Sequence, residues 1–154
     1  MRAGTALMVD RLEGMTKLAG VGRVVLRAHH DWQRFLANRP MYGEIYDWYT
    51  LEGPCVRKHA GRYYCFYSGG RWETENYGVD YGVADNVLGS YSDAGNEAEP
   101  RVLRSRPGRV LGPDGQTEYI VYHAWDTNME ARQMCLEPLA EKLNAKNLWS
   151  DFEW

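Results

Sequence analysis

Apolar and polar residues alternate at a period of two along most of the chain, the spacing expected of strands with one buried face. The segments "TALMVDRL" (5–12) and "RVVLR" (23–27) read as strands, joined by the turn-rich "EGMTKLAGVG". A long irregular stretch leads to "PCVRKHAGRYYCFYSGG", where "HAGR" marks a tight turn between two strands because Gly61 takes a positive φ without steric cost. In "YGVDYGVAD", Val79, Tyr81 and Val83 share one face and Gly78, Asp80 and Gly82 the other. A glycine-bearing face lets another backbone or a ligand approach closely. Further on, "NVLGSYSDAGNEAEP" reads as turn and loop, "RVLRS" as a short strand and "GPDGQ" as a turn, before the strands "TEYIVYHAW" and "ARQMCLEPL". Only the tail "AEKLNAKNLW" has helical spacing, with Leu139, Leu143 and Leu148 on one side. Eight or nine short strands, glycine-rich turns and no helical crossovers predict an antiparallel all-β domain: a sandwich, a barrel or a propeller.

Composition narrows the partners. The 154 residues suffice for one domain, and 44% hydrophobic with 25% charged residues is a globular balance. A net charge of −3 gives no basic footprint, so no nucleic-acid partner is expected. Apolar runs such as "VVL" and "YIVY" fall far short of the ~20 residues of a membrane span, so none is expected either. The start "MRAGTALMVDRLEG" lacks the apolar core of a secretory leader, and Cys55, Cys65 and Cys135 form neither a disulfide framework nor a CxxC pair. Reduced thiols in a cytoplasmic protein are the expectation. The 11 tyrosines and 6 tryptophans suit a carbohydrate site, and equally strands and interfaces.

Among chemically capable residues, Glu52 stands out, set between Trp48, Tyr49 and Leu51 upstream and the rigid Gly53-Pro54 step. Apolar, aromatic surroundings disfavour the charged form of a carboxyl group, which suits a proton donor, although such a glutamate can equally sit in a plain loop. Asp80 either looks into a ligand cleft or lies at a solvent face or interface. Trp72 in "RWETENY" is a sugar platform or part of a solvated loop, and His123 in "VYHAWD" is a core histidine or a site residue. His29 and His30, adjacent on an extended chain, point to opposite sides and make a poor chelate with Asp31, so a solvated loop is expected. Ser68 in "YSGG" lacks the G-x-S-x-G setting of a nucleophile elbow. Asp10 reads as an exposed strand residue.

The stretch "WYTLEGPCVRKHAGRYYCFYSGGRWETENYGVDYGVADNVLGSYSD", followed by "GPDG" and "YHAW", resembles the acid-bearing blade of glycoside hydrolase family 43 in the order and spacing of its motifs. These are the five-bladed β-propeller arabinofuranosidases, xylosidases and arabinanases. The matching pieces are Glu52-Gly53-Pro54, Tyr63 to Gly70, Tyr77 to Tyr91 and Gly112 to Trp125, and "GTALMVDRLEGMTKLAGVGRVVLRAHHDWQ" is similar to the family's preceding blade. The resemblance implies an all-β fold of about two to three blades of four-stranded antiparallel sheets. Residues 4–48 would form a partial blade and connection, 49–104 the acid-bearing blade, 105–139 a partial blade and 140–154 a tail. It implies Glu52 as the general acid, with Trp48, Tyr67, Ser68, Trp72, Tyr77, Asp80 and His123 as candidate substrate contacts.

An inverting hydrolase pairs such an acid with a carboxylate base about 6.5–9.5 Å away. In the family the base aspartate and a second, acid-orienting aspartate lie on the first two blades, which by this resemblance precede residue 1. The family's axial histidine falls where this sequence runs "RPGRVLGPDGQTEY" without it, so no metal site and no cofactor are expected. Open sheet faces predict self-association as a homodimer or higher homo-oligomer. The expected function is hydrolysis of arabinofuranosyl or xylosyl linkages in plant-derived oligosaccharides. The alternative is a non-catalytic, carbohydrate-binding or vestigial propeller fragment.

Overall fold

The computed structural model describes residues 1–74, 77–93, 108–111, 118–126 and 128–138. The expected strand "RVLRS" and the helical tail lie outside the described residues, as do the "GPDGQ" turn and most of the 105–118 segment. Among the described residues, every regular element is a strand apart from one 3-10 turn, Asp31–Gln33. No helix among the described residues is long and apolar enough to cross a membrane.

Residues 6–27 form one long antiparallel hairpin in two registers. Strand β2 (Ala6–Val9) pairs with β5 (Arg23–Arg27), and beyond an interruption β3 (Leu12–Glu13) pairs with β4 (Lys17–Leu18). Asp10 occupies that interruption. Its carboxylate accepts from the backbone N–H of Arg11 at 2.7 Å and of Gly20 at 2.8 Å, bracing the two arms rather than lying exposed on a strand.

The stretch expected to be irregular contains a second hairpin, β6 (Arg34–Met41) with β7 (Glu44–Tyr49), to which β1 (Ala3–Gly4) adds in parallel. Tyr42 (φ 54°) and Gly43 (φ 83°) make its two-residue turn, both in the left-handed region that such hairpin turns require. Gly4 has to be glycine, since a Cβ there would sit 1.9 Å from the Tyr49 carbonyl oxygen.

The centre of the molecule is a four-stranded antiparallel sheet in the order β11-β10-β9-β8, comprising β8 (Leu51–His59), β9 (Arg62–Gly69), β10 (Gly78–Ala84) and β11 (Ser92–Asp93). Ala60 (φ 47°) and Gly61 (φ 80°) form the β8–β9 turn that the sequence predicted. Both faces of β9 are buried, which explains why it reads as an unbroken aromatic run rather than an alternating one. One face carries Cys65, Tyr67 and Leu51 into a core with Leu7, Leu26 and Trp32. Each aliphatic side chain so buried contributes about 1.5–3 kcal/mol. The glycines of β10 admit this packing, since a Cβ on Gly82 would lie 2.9 Å from the Tyr91 Cβ and 3.3 Å from Leu26. The opposite face carries Tyr64, Phe66, Ser68, Val79 and Tyr81, with Phe66 and Tyr81 ring centroids 5.7 Å apart. A further antiparallel sheet, β12 (Gly108–Leu111), β13 (Glu118–Trp125) and β14 (Arg132–Pro138), follows in the order β12-β13-β14.

Candidate active site

Glu52 lies at the start of β8, an outer strand of its sheet, and the Gly-Pro step that follows is a β-bulge. Glu52 pairs with Ser68 and Cys55 with Phe66, so Gly53 and Pro54 together oppose the single residue Tyr67. Gly53 supplies the left-handed conformation (φ 61°) that the extra residue requires. Pro54, without an N–H to donate, is tolerated because the bulge and the strand's outer position need no ladder bond from it. The bulge bends the strand and sets the direction of the carboxyl group beside it. The Leu51 backbone is locked by Thr5, whose hydroxyl accepts from the Leu51 N–H at 2.8 Å and lies 2.9 Å from the Leu51 carbonyl.

Glu52 is half-buried, and the hydroxyl of Tyr77 donates to its Oε1 at 2.7 Å. Tyr77 is itself 2% exposed and is fixed from the turn before it. The Tyr77 N–H reaches the Thr74 carbonyl at 3.3 Å, and Thr74 closes on the Arg71 carbonyl through both its N–H and its hydroxyl, each at 3.0 Å. Two side chains of the following sheet meet this corner. The Arg132 guanidinium lies 5.9 Å from the Tyr77 ring centroid and 5.4 Å from that of Trp125, and the Trp125 indole N–H donates to the Trp72 carbonyl at 3.0 Å. A half-buried carboxyl group oriented by a phenol, at the edge of a sheet, is placed to pass a proton to a bound group.

The remaining candidates fall in several places. Ser68, opposite Glu52 in register, is completely buried. Tyr67 is completely buried on the other face, where it stacks on Trp32 with ring planes 6° apart. The Tyr67 hydroxyl donates to Asp93 Oδ2 at 2.6 Å and accepts from Gln33 Nε2 at 2.8 Å. Burial, then the charges of Asp93 and Asp80, push its titration far above that of an ordinary tyrosine. Asp80 pairs with Tyr67 in register and is also completely buried, its Oδ1 accepting from the Tyr81 N–H at 2.8 Å. It therefore does not lie at a solvent face.

Trp48 packs on Arg39, at 5.3 Å, and on Tyr42, a cluster on the β6–β7 hairpin that includes none of the residues that hold Glu52. Trp72 is exposed, and its backbone carbonyl is what engages Trp125. His123 is on β13, paired with Met134, and its side chain lies outside the described residues. The structure thus brings Glu52, Tyr77 and the Trp72 turn together, and places Tyr67 and Asp80 in a separate interior cluster.

Sequence reasoning missed two groups. His30, expected in a solvated loop, is buried with Nε2 3.3 Å from Asp93 Oδ1, and Gln33 Oε1 accepts from the His29 and His30 N–H groups at 2.7 and 2.9 Å. Arg132 was also missed, and the only signal for it is the register pairing of Arg132 with Trp125 across β13 and β14. Among the described residues, no three histidine, cysteine or carboxylate side chains are placed to hold a metal ion.

No family model matches the sequence. Over 96 residues the chain is 36% identical to the beta-D-galactofuranosidase xynD of Aspergillus niger, a match covering 56% of this chain and 28% of that protein. In fold it is similar to a thermostable family-43 glycoside hydrolase, with a TM-score of 0.62 and 24% identity over 82% of this chain and 41% of the other. It is also similar to an endo-1,4-beta-xylanase from Bacteroides thetaiotaomicron, with a TM-score of 0.68 and 19% identity over 88% and 46%. An endo-arabinase from the same organism superposes with a TM-score of 0.61 at 17% identity over 86% and 45%. The chain thus shares the fold of the family-43 glycoside hydrolases, built of propeller sheets like theirs, and spans less than half the length of the proteins it matches.

Proposed function

We propose that the chain is the acid-bearing part of a glycosidase, with Glu52 as the general acid that protonates the departing glycosidic oxygen. The observation that carries this reading is the Tyr77 hydroxyl on Glu52 Oε1, beside a bulge that directs the carboxyl group at the edge of a sheet. The substrate class is an oligosaccharide with arabinofuranosyl or xylosyl linkages. The galactofuranosidase named for the Aspergillus niger relative adds a galactofuranoside to the panel worth testing. Trp72 is the exposed aromatic surface that offers itself to a sugar face, and His123 is the candidate contact from the next sheet. The opposing base comes from a carboxylate on blades outside this stretch or from a second copy of the chain.

Exposed apolar surface also favours self-association. The 6–27 hairpin presents Met8, Leu12, Leu18 and Val21 to solvent, an apolar surface suited to a further blade or to a second copy. A second reading, a carbohydrate-binding or vestigial fragment, is favoured by the fraction of the relatives' length that the chain spans. The test is hydrolysis of aryl arabinofuranosides, xylosides and galactofuranosides by the purified chain beside Glu52→Gln. Turnover that Glu52→Gln abolishes supports the acid. Equal, measurable rates for both proteins remove Glu52 from that role, and sugar binding without turnover selects the second reading.

A further inference from the structure

We propose that Arg132 is a positioning residue for the proton donor, acting through Tyr77. This rests on the reading of Glu52 as the acid, and it assigns to the 108–138 sheet a part in setting that acid. Arg132 and Trp125 are register partners on adjacent strands, so their side chains emerge side by side on one face of that sheet. Together they grip the Glu52 corner at two points. Trp125 holds the backbone of the Arg71–Thr74 turn through the Trp72 carbonyl, and Arg132 lies within cation–π range of the Tyr77 ring. The turn sets where Tyr77 leaves the chain, and the cation sets where its ring rests.

The chemistry of the pair favours this role. A guanidinium keeps its charge at every pH at which a carboxyl group works, so its attraction for the ring does not vary as Glu52 gains or loses a proton. A cation near the π system draws electron density from the phenol and makes its O–H a stronger donor toward Glu52 Oε1, the bond seen at 2.7 Å. Arg132 is exposed, so its contribution is modest, about two- to fivefold in any rate that depends on the orientation of Glu52.

The experiment uses the intact chain labelled with 13C-glutamate and follows the Glu52 side-chain carboxyl resonance, identified by its loss in Glu52→Gln. Tyr77→Phe is expected to move that resonance. Arg132→Met is expected to move it in the same direction by a smaller amount, with Arg132→Lys intermediate and an unchanged amide spectrum showing that the fold is kept. In the Tyr77→Phe background, Arg132→Met is expected to add nothing. A Glu52 resonance indifferent to Arg132, or one that moves equally with and without the Tyr77 hydroxyl, overturns the proposal. This readout needs no turnover, so even a chain whose hydrolysis is absent, or is unaffected by Glu52→Gln and so removes the acid reading, shows whether Arg132 acts on Glu52 through Tyr77. Where hydrolysis is measurable, Arg132→Met lowers kcat about two- to fivefold and leaves KM unchanged. A raised KM at constant kcat would make Arg132 a substrate contact and contradict the positioning role.

Discussion

Tyr67, on β9, and Tyr77, directly before β10, are both buried tyrosines, and each donates its hydroxyl to a carboxylate, Asp93 at 2.6 Å and Glu52 at 2.7 Å. Their surroundings differ. Tyr67 is enclosed by Trp32 and Gln33, and its acceptor Asp93, whose side chain is 3% exposed, also faces His30. Tyr67, Gln33 and Asp93 satisfy one another within the interior, so the arrangement fixes how the 6–27 hairpin and the 3-10 turn sit on the sheet. Tyr77 holds a half-buried carboxyl group at a sheet edge, beside a bulge, an exposed tryptophan and an arginine of the next sheet. The same hydrogen bond serves architecture in one place and is open to chemistry in the other, and what separates the two is access to the carboxylate.

Substituting the two tyrosines measures that contrast. Tyr67→Phe leaves Gln33 and the buried Asp93 each short of a partner, and should cost about 3 kcal/mol in urea unfolding with no specific effect on sugar binding. Tyr77→Phe leaves a carboxyl group that water can reach, so its cost should be about 1 kcal/mol, with the loss appearing in kcat instead. Equal unfolding costs for the two variants would erase the distinction.

Alkaline titration probes the closed cluster from another side. Burial pushes the Cys65 thiol up to about 12 and the Tyr91 phenol up to about 12, and Tyr67 rises further for the same first cause. For each group the folded state holds its proton more tightly than the unfolded chain does. Their stabilisation is therefore complete below the unfolded values, near 9 for the thiol and 10 for the phenols, and is lost as pH climbs toward 12. Thermal unfolding should fall steadily between pH 9 and 12, and Cys65→Ala should make that fall shallower. A melting temperature flat across this window would contradict the burial of these groups.

The distinction between the two tyrosines was only partly visible in the sequence. The β8–β10 strands, the Ala60-Gly61 turn and the split of β10 into a glycine face and an apolar face are written in local alternation and turn chemistry, and all are found. The β6–β7 hairpin was not legible. Its turn carries Tyr42 where Asn or Asp is usual, Pro40 argues against a strand, and register shifts around Leu36 break the alternation. Pro40 is tolerated because β6 lies at the edge of its sheet.

Glu52 could be singled out from its neighbours and the family resemblance, yet its partner could not. Trp48 and Tyr49, adjacent in sequence, turn to Arg39 and to Asp31, while Tyr77 arrives from 25 positions away. That meeting depends on the bulge at Gly53-Pro54 and on the 71–74 turn, which no periodicity encodes. The interior cluster was hidden for a similar reason, since His30, Gln33 and Asp93 are isolated polar residues in turns and short strands whose burial is decided by the sheets around them.

The central claim, that Glu52 donates the proton, is tested most directly by the dependence of Glu52→Gln hydrolysis on the leaving group. An activated dinitrophenyl glycoside departs without protonation, whereas a sugar leaving group requires it. If Glu52 is the acid, Glu52→Gln loses about 10²- to 10⁴-fold in rate on the oligosaccharide and little on the dinitrophenyl substrate. A loss of the same size on both, or on neither, would contradict it.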